Sequence, residues 1–198
     1  MELDILPELR KRMSPLLFDG KDLEDEQLRA LVEAARWAPS CSNNQSWNYV
    51  FVHKKAGTRV ALEDSLTRGN AWAKDAPFLV AVAADPGIDC RDNDLPFYAY
   101  NAGLSVMCLV VEAEHLGLRV HQMAGWSEQK VKQALRFPSN VRVVVLFALG
   151  YGADVKSVWE NLDERTRSKL ARPRERKPLD QNFFSESYGE NLFGSEVS

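Results

Sequence analysis

Between Ala34 and Val52 the chain passes from a helical to a strand pattern through a short run of polar side chains, and any fold must accommodate that switch. Leu28, Leu31, Val32 and Ala35 recur at helical spacing, and Pro39 then pushes Ala38 out of the helical region. Ser40, Cys41, Ser42, Asn43, Asn44, Gln45 and Ser46 follow, forming a donor and acceptor surface bracketed by Trp37 and Trp47, both read as buried. Taken alone, such a segment is more often a capped turn whose amides satisfy neighbouring backbone. The other reading is a loop that faces a ligand.

Periodicity elsewhere predicts helices near Leu3–Met13, Glu26–Trp37, Thr58–Leu66, Phe97–Leu116, Glu128–Leu135 and Val158–Leu170. Strands are expected at Asn48–His53, Phe78–Ala84 and Val141–Tyr151, where Val, Phe and Ala runs end in turn residues, the pattern of buried central strands. The alternation argues for helices packed on a small sheet. Ala102, Leu104, Val106, Met107, Leu109, Val110 and Val111 make the long fourth helix apolar on more than one face, so it needs partners on several sides. The stretch 181–198 carries Phe183, Phe184, Tyr188, Leu192 and Phe193 without regular periodicity, which is unusual for a loose tail and suits a segment that wraps another surface.

A length of 198 residues fits one domain that buries roughly 70% of its unfolded surface and needs neither metal nor covalent staple to fold. A formal charge of -3 argues against nucleic acid as the main partner. The basic residues between Arg165 and Lys177 fit a small anion site better than a polyanion groove. The amphipathic start lacks a signal peptide's charged and apolar regions, and no apolar run approaches membrane-spanning length. Cys41, Cys90 and Cys108 are an odd count without C-x-x-C spacing, pointing to a reducing cytoplasm and no metal cluster, and His53, His115 and His121 are too scattered for zinc.

Five segments, in order, carry a family resemblance. Ala38–Trp47 resembles the A-P-S-S-x-N-x-Q-P-W loop of the FMN-dependent nitroreductase family, and Arg12, Met13, Ser14, Pro15 and Phe18 resemble its R-x-S-P-R-x-F segment. Gly69–Pro77 is similar to its G-N-x-x-W-x-x-x-A-P segment, Leu116–Trp126 to L-G-L-x-x-H-Q-M-x-G-F, and Arg174–Asp180 to the terminal R-x-R-x-P-L motif. Together they span nearly the whole chain.

The resemblance implies an α+β nitroreductase-like fold, one domain over 1–198, with helices around a small mixed or antiparallel sheet. It also implies a domain-swapped homodimer, with 181–198 wrapping the partner subunit and FMN bound at the interface. Arg12 and Ser14 near the start, and Arg174 and Arg176 near the end, match the phosphate positions, and Met13 is implied among the cofactor-binding residues. Guanidinium groups suit that task because they are always charged and bond two oxygens, and in an extended Arg-Glu-Arg stretch the two arginines share a face. Asn70 matches the residue at the flavin pyrimidine edge, and Pro39, Ser40, Cys41 and Asn43 match the loop lent by the partner subunit. Met123, Ala124 and Gly125 match the segment whose backbone faces N5 and O4 of the ring.

The implied activity is that of a cytoplasmic NAD(P)H-dependent oxidoreductase, with NADH or NADPH as donor and a nitroaromatic, quinone or activated enone as the small-molecule acceptor. No side chain is expected to be catalytic, because the flavin carries the redox chemistry. No Rossmann fingerprint is present, so nicotinamide is expected to stack transiently over the flavin. Leu16 stands where the family motif has a second arginine, removing a cation expected beside the ring. That departure keeps two alternatives open: a specialised flavin dehydrogenase or reductase with a non-nitro substrate, and a flavin-binding protein without useful turnover.

Overall fold

Residues 3–193 are described by the computed structural model, and they divide into two compact units, Met1–Val158 and Trp159–Ser198. The first is built on a four-stranded antiparallel sheet. Its strands are β1 (Trp47–His53), β2 (Phe78–Ala84), β5 (Arg119–Met123) and β6 (Arg142–Gly150), in the order β1-β2-β6-β5. All seven residues of β2 are buried, which explains its unbroken apolar run.

The two-residue period of the strands sorts these side chains into two cores. Phe78, Val80, Val82, Phe147 and Leu149 pack against Leu31 and Ala35 of α2 (Asp25–Arg36) and against Ala102, Val106, Leu109 and Val110 of α4 (Tyr98–His115). Leu79, Ala81, Ala83, Leu146 and Ala148 point the other way, toward Leu62 of α3 (Arg59–Glu63) and Val131 of α5 (Glu128–Leu135). Each fully buried Leu or Val contributes about 1.5–3 kcal/mol relative to exposure.

Three local expectations need correction, and one strand was not anticipated. The first helix, α1, covers only Pro7–Lys11, because Arg12 leaves the helical region at φ −48°, ψ 125° just before Ser14-Pro15. The polar alternation of Arg119–Met123 hides an edge strand, β5, whose residues Val120 and Met123 are the buried ones. Trp37 is 74% exposed, standing at the end of α2 with its Nε1 donating to Glu33 and the Arg36 guanidinium over its ring. The long helix α4 is buried on one side only: Tyr100 and Met107 are exposed, and Leu104, Cys108 and Val111 are half-buried.

Between β2 and α4 lies a small hairpin, β3 (Arg91–Asp92) with β4 (Leu95–Pro96). Its turn residues Asn93 and Asp94 are both left-handed, as a two-residue hairpin of primed type requires. The first unit closes with α6 (Val155–Val158).

In the second unit the helix expected over Val158–Leu170 is interrupted. A 3-10 turn spans Trp159–Asn161, and α7 (Glu164–Leu170) starts afresh where the Asp163 carboxylate accepts from the Thr166 N–H at 2.9 Å. Residues 173–178 have no regular structure, and Phe183, Tyr188 and Phe193 remain more than half exposed. The part of the expected wrapping segment beyond residue 193 lies outside the described residues.

Candidate functional site

The clearest meeting of widely separated site residues is at Asn70 and Gly125. Asn70 belongs to the 3-10 turn Arg68–Asp75, and Gly125 follows the end of β5. The Asn70 Nδ2 donates to the Gly125 carbonyl at 2.8 Å, and the Thr67 N–H donates to the same oxygen at 2.9 Å. A Cβ on Gly125 would stand 2.4 Å from Thr67 Oγ1 and 3.1 Å from Asn70 Nδ2, so the glycine is required by close approach of main chain to this turn.

Gly125→Ala is therefore expected to destabilise the protein by about 1–3 kcal/mol, with part of the loss recovered in a Thr67→Ala, Gly125→Ala double variant. Urea titration of the three proteins checks this, and equal losses for Gly125→Ala and the double variant would contradict the packing argument.

Arg12, Met13 and Ser14 are brought to the same edge of the sheet. The next residue, Pro15, is buried, and its carbonyl accepts from His121 Nδ1 at 2.6 Å, two residues before Met123 on β5. Trp72 stacks on His121 at a centroid distance of 4.2 Å and on Phe18 at 6.3 Å. The chain after Pro15 is also fixed, since Phe18 bridges to Gly152 and the Asp19 N–H donates to the Tyr151 carbonyl. Arg12 is half-buried, Met13, Ser14 and Ala124 are exposed, and Met123 is buried.

Pro39, Ser40, Cys41 and Asn43 lie instead at the β1 end of the sheet. Ser40 Oγ accepts from the Gln45 N–H at 3.0 Å, and Gln45 Nε2 donates to Asn43 Oδ1 at 3.1 Å, so the loop does satisfy part of its own backbone. A buried network holds it from outside. The Cys41 N–H donates to Asn101 Oδ1 at 3.3 Å, Asn101 Nδ2 donates to both carboxylate oxygens of Asp89 at 2.9 Å, and Ser46 Oγ donates to Asp89. Desolvation is the largest influence on Asp89 and raises its pKa, yet the bonds from Ser46, Asn101, the Cys90 N–H and Asn44 together hold it below the ordinary carboxylate value. The root of this loop and the Gly125 segment adjoin opposite edge strands, three strand spacings or roughly 14 Å apart.

Arg174 and Arg176 lie in the stretch of the second unit without regular structure, both exposed, with Arg176 Nη1 donating to the Glu175 carbonyl at 2.8 Å. Cys41 and Cys90 form a disulfide, which corrects the reading of the cysteines from count and spacing. Pairing across 49 residues leaves no local spacing signal. Sequence reasoning also missed Thr67, Asp89, Asn101 and the use of His121 as a strut. Asp and Asn in such positions read as ordinary turn or helix residues until the topology joins them.

Comparison with known proteins bears on this arrangement. A family model described as nitroreductase family matches residues 9–68. The chain is 35% identical over 135 residues to an uncharacterized 15.4 kDa protein of Mycolicibacterium smegmatis, an alignment covering 68% of this chain and 87% of that protein. It is 26% identical over 183 residues to an NADH dehydrogenase of Thermus thermophilus, covering 77% of this chain and 88% of the relative. A solved oxidoreductase containing FMN superimposes with a TM-score of 0.83 at 28% identity, covering 96% of each chain.

Proposed function

This chain belongs to the nitroreductase family, and we propose that it is an FMN-dependent NAD(P)H oxidoreductase, working as a homodimer on a small-molecule acceptor such as a nitroaromatic, quinone or activated enone. The observation that carries the reading is the junction of Asn70 with Gly125 at the end of β5, tied through His121 and Pro15 to Arg12 and Ser14. Segments that resemble separate flavin-binding motifs thereby converge on one sheet edge. The oxidoreductase containing FMN that shares the fold supports the choice of cofactor.

The donor set suits the proposed occupant. Arg12 and Ser14 would hold a terminal phosphate through charge-assisted bonds, and the resemblance assigns Arg174 and Arg176 to a phosphate as well. Asn70 would meet the pyrimidine edge with its remaining hydrogen-bonding capacity, and the main chain of Met123–Gly125 would face the ring. When bound, FMN would supply the hydride-transfer chemistry between NADH or NADPH and the acceptor. The protein's part is to orient the ring, leave one face open to the nicotinamide and the acceptor in turn, and stabilise charge at the pyrimidine edge.

Two features of the first unit support the proposed dimer. The α4 stripe of Tyr100, Leu104, Met107, Cys108 and Val111 is apolar and incompletely covered. The loop at Pro39–Asn43 adjoins the edge strand opposite the Gly125 segment, which suits a loop that closes over the partner's site. The wrapping role of 181–198 is part of the same proposal.

Leu16 favours a second reading, a flavin-binding protein without useful turnover, because it supplies no cation beside the ring. Stopped-flow mixing of the FMN-loaded protein with NADH and NADPH separates the two. Bleaching of the flavin absorbance within seconds, in a species of dimeric mass, is the expected result. A flavin that binds but stays oxidised would establish the second reading.

A further inference from the structure

The Cys41–Cys90 disulfide ties the loop before β1 to the segment between β2 and β3. Within that loop Ser42, Asn43 and Gln45 all adopt left-handed backbone, at φ 49°, 56° and 46°. Non-glycine residues hold such conformations only when surrounding contacts impose them. Two anchors are available, and they differ in chemistry. The network of Asp89, Asn101 and Ser46 fixes the root of the loop, with Asn101 fully buried and Ser46 1% exposed. The disulfide adds a covalent tie at Cys41, directly before the left-handed residues, to the bonds that the Cys41 N–H makes to Asn101 and that Asn44 makes to Asp89, and both of its cysteines are half-buried.

We propose that the Cys41–Cys90 disulfide is a reversible redox latch on this loop. When oxidised it holds Cys41–Gln45 in the observed conformation. On reduction the loop relaxes while the polar network keeps its root in place. A thiolate of a dithiol reductant attacks one sulfur of the bridge and forms a mixed disulfide, releasing the other cysteine as a thiol. The reductant's second thiol then displaces the remaining cysteine. Two electrons and two protons pass from the reductant, leaving thiols at Cys41 and Cys90 and a disulfide in the reductant.

The consequence for the flavin rests on the function proposed above, in which this loop closes over FMN, whereas the latch itself does not. If the loop reaches its closed form only part of the time after reduction, the apparent affinity for FMN falls in proportion to that fraction.

The test uses the full-length protein, oxidised or treated with dithiothreitol under native conditions. Thiols are counted after denaturation, amide exchange is followed over residues 40–46, and FMN affinity is read from flavin fluorescence. One thiol, Cys108, is expected before reduction and three after it. Exchange across the loop is expected to accelerate by about tenfold or more, with α4 unchanged, and FMN binding to weaken by about fivefold. Cys41→Ser and Cys90→Ser should each show the fast loop and no response to dithiothreitol. Loop exchange unchanged after both thiols appear would overturn the latch. So would a bridge that native-state dithiothreitol cannot open, or thiols that a mild oxidant cannot join. Faster loop exchange with unaltered FMN affinity would support the latch and instead remove this loop from the flavin site.

Discussion

Arg59→Met is expected to destabilise the first unit by about 3–5 kcal/mol, and the reason lies in the burial of a charge that is fully committed. Arg59 is 2% exposed. Its Nε donates to Glu63 Oε1 at 2.7 Å, Nη1 to the Val52 carbonyl at 3.2 Å, and Nη2 to the carbonyls of Ala76 at 2.8 Å and Lys74 at 3.2 Å. The guanidinium therefore ties the end of β1, the start of β2 and the turn that carries Asn70 to α3. Methionine preserves much of the apolar stem but leaves these carbonyls and the Glu63 carboxylate without their donor, in a place that water reaches poorly. A loss of that size corresponds to a fall in Tm of roughly 6–20 °C for a chain of this length. Denaturation followed by circular dichroism provides the measurement. Arg59→Lys should fall between the two proteins, because an ammonium keeps the charge but not the planar fork. A Met variant with the midpoint of the unchanged protein would show that the network contributes nothing net.

The buried Arg59 also shows where sequence reading stops. The central strands were legible because β2 and β6 are long Val, Leu, Phe and Ala runs, and a fully buried strand has few other ways to be written. The fold class followed from those runs together with the family motifs. Arg59, by contrast, reads as one more charged residue at the start of a helix, and only the return of the chain through Lys74 and Ala76 surrounds it with carbonyl groups. The same applies to the loop at Ser40–Ser46. Its polar composition was legible and its preceding helix was bounded correctly by Pro39, but its anchors are 49 residues away at Cys90 and 60 away at Asn101. Trp37 illustrates the opposite error: an aromatic at a helix end is read as core, while cation and carboxylate partners on the surface hold it in the open. The strand β5 was hidden because its two buried residues, Val120 and Met123, lie on opposite faces of the sheet, so no two-residue apolar period appears, and Arg119, His121 and Gln122 occupy the other positions.

Replacing Arg174 and Arg176 together by Ala is expected to weaken FMN binding by at least about tenfold while changing riboflavin binding by less than about twofold. The two flavins share the ring and ribityl chain and differ in the phosphate, so the contrast isolates the group that these arginines are proposed to hold. Each charge-assisted hydrogen bond contributes about 1.5–3 kcal/mol, and loss of two would approach a hundredfold or more if nothing compensated. Other contacts to the phosphate would compensate in part, which sets the lower bound nearer tenfold. Both arginines are exposed in a stretch without helical structure, and side chains two apart share a face wherever such a stretch is extended. Ionic strength adds an independent check. The affinity of the unchanged protein for FMN should fall as salt screens the clamp, and that dependence should be shallower in the double variant. Lysine at both positions should restore part of the FMN affinity, because the charge returns without the bidentate fork. Equal losses for FMN and riboflavin would point to general disturbance of the second unit, and unaltered FMN affinity would place the phosphate clamp on Arg12 and Ser14 alone.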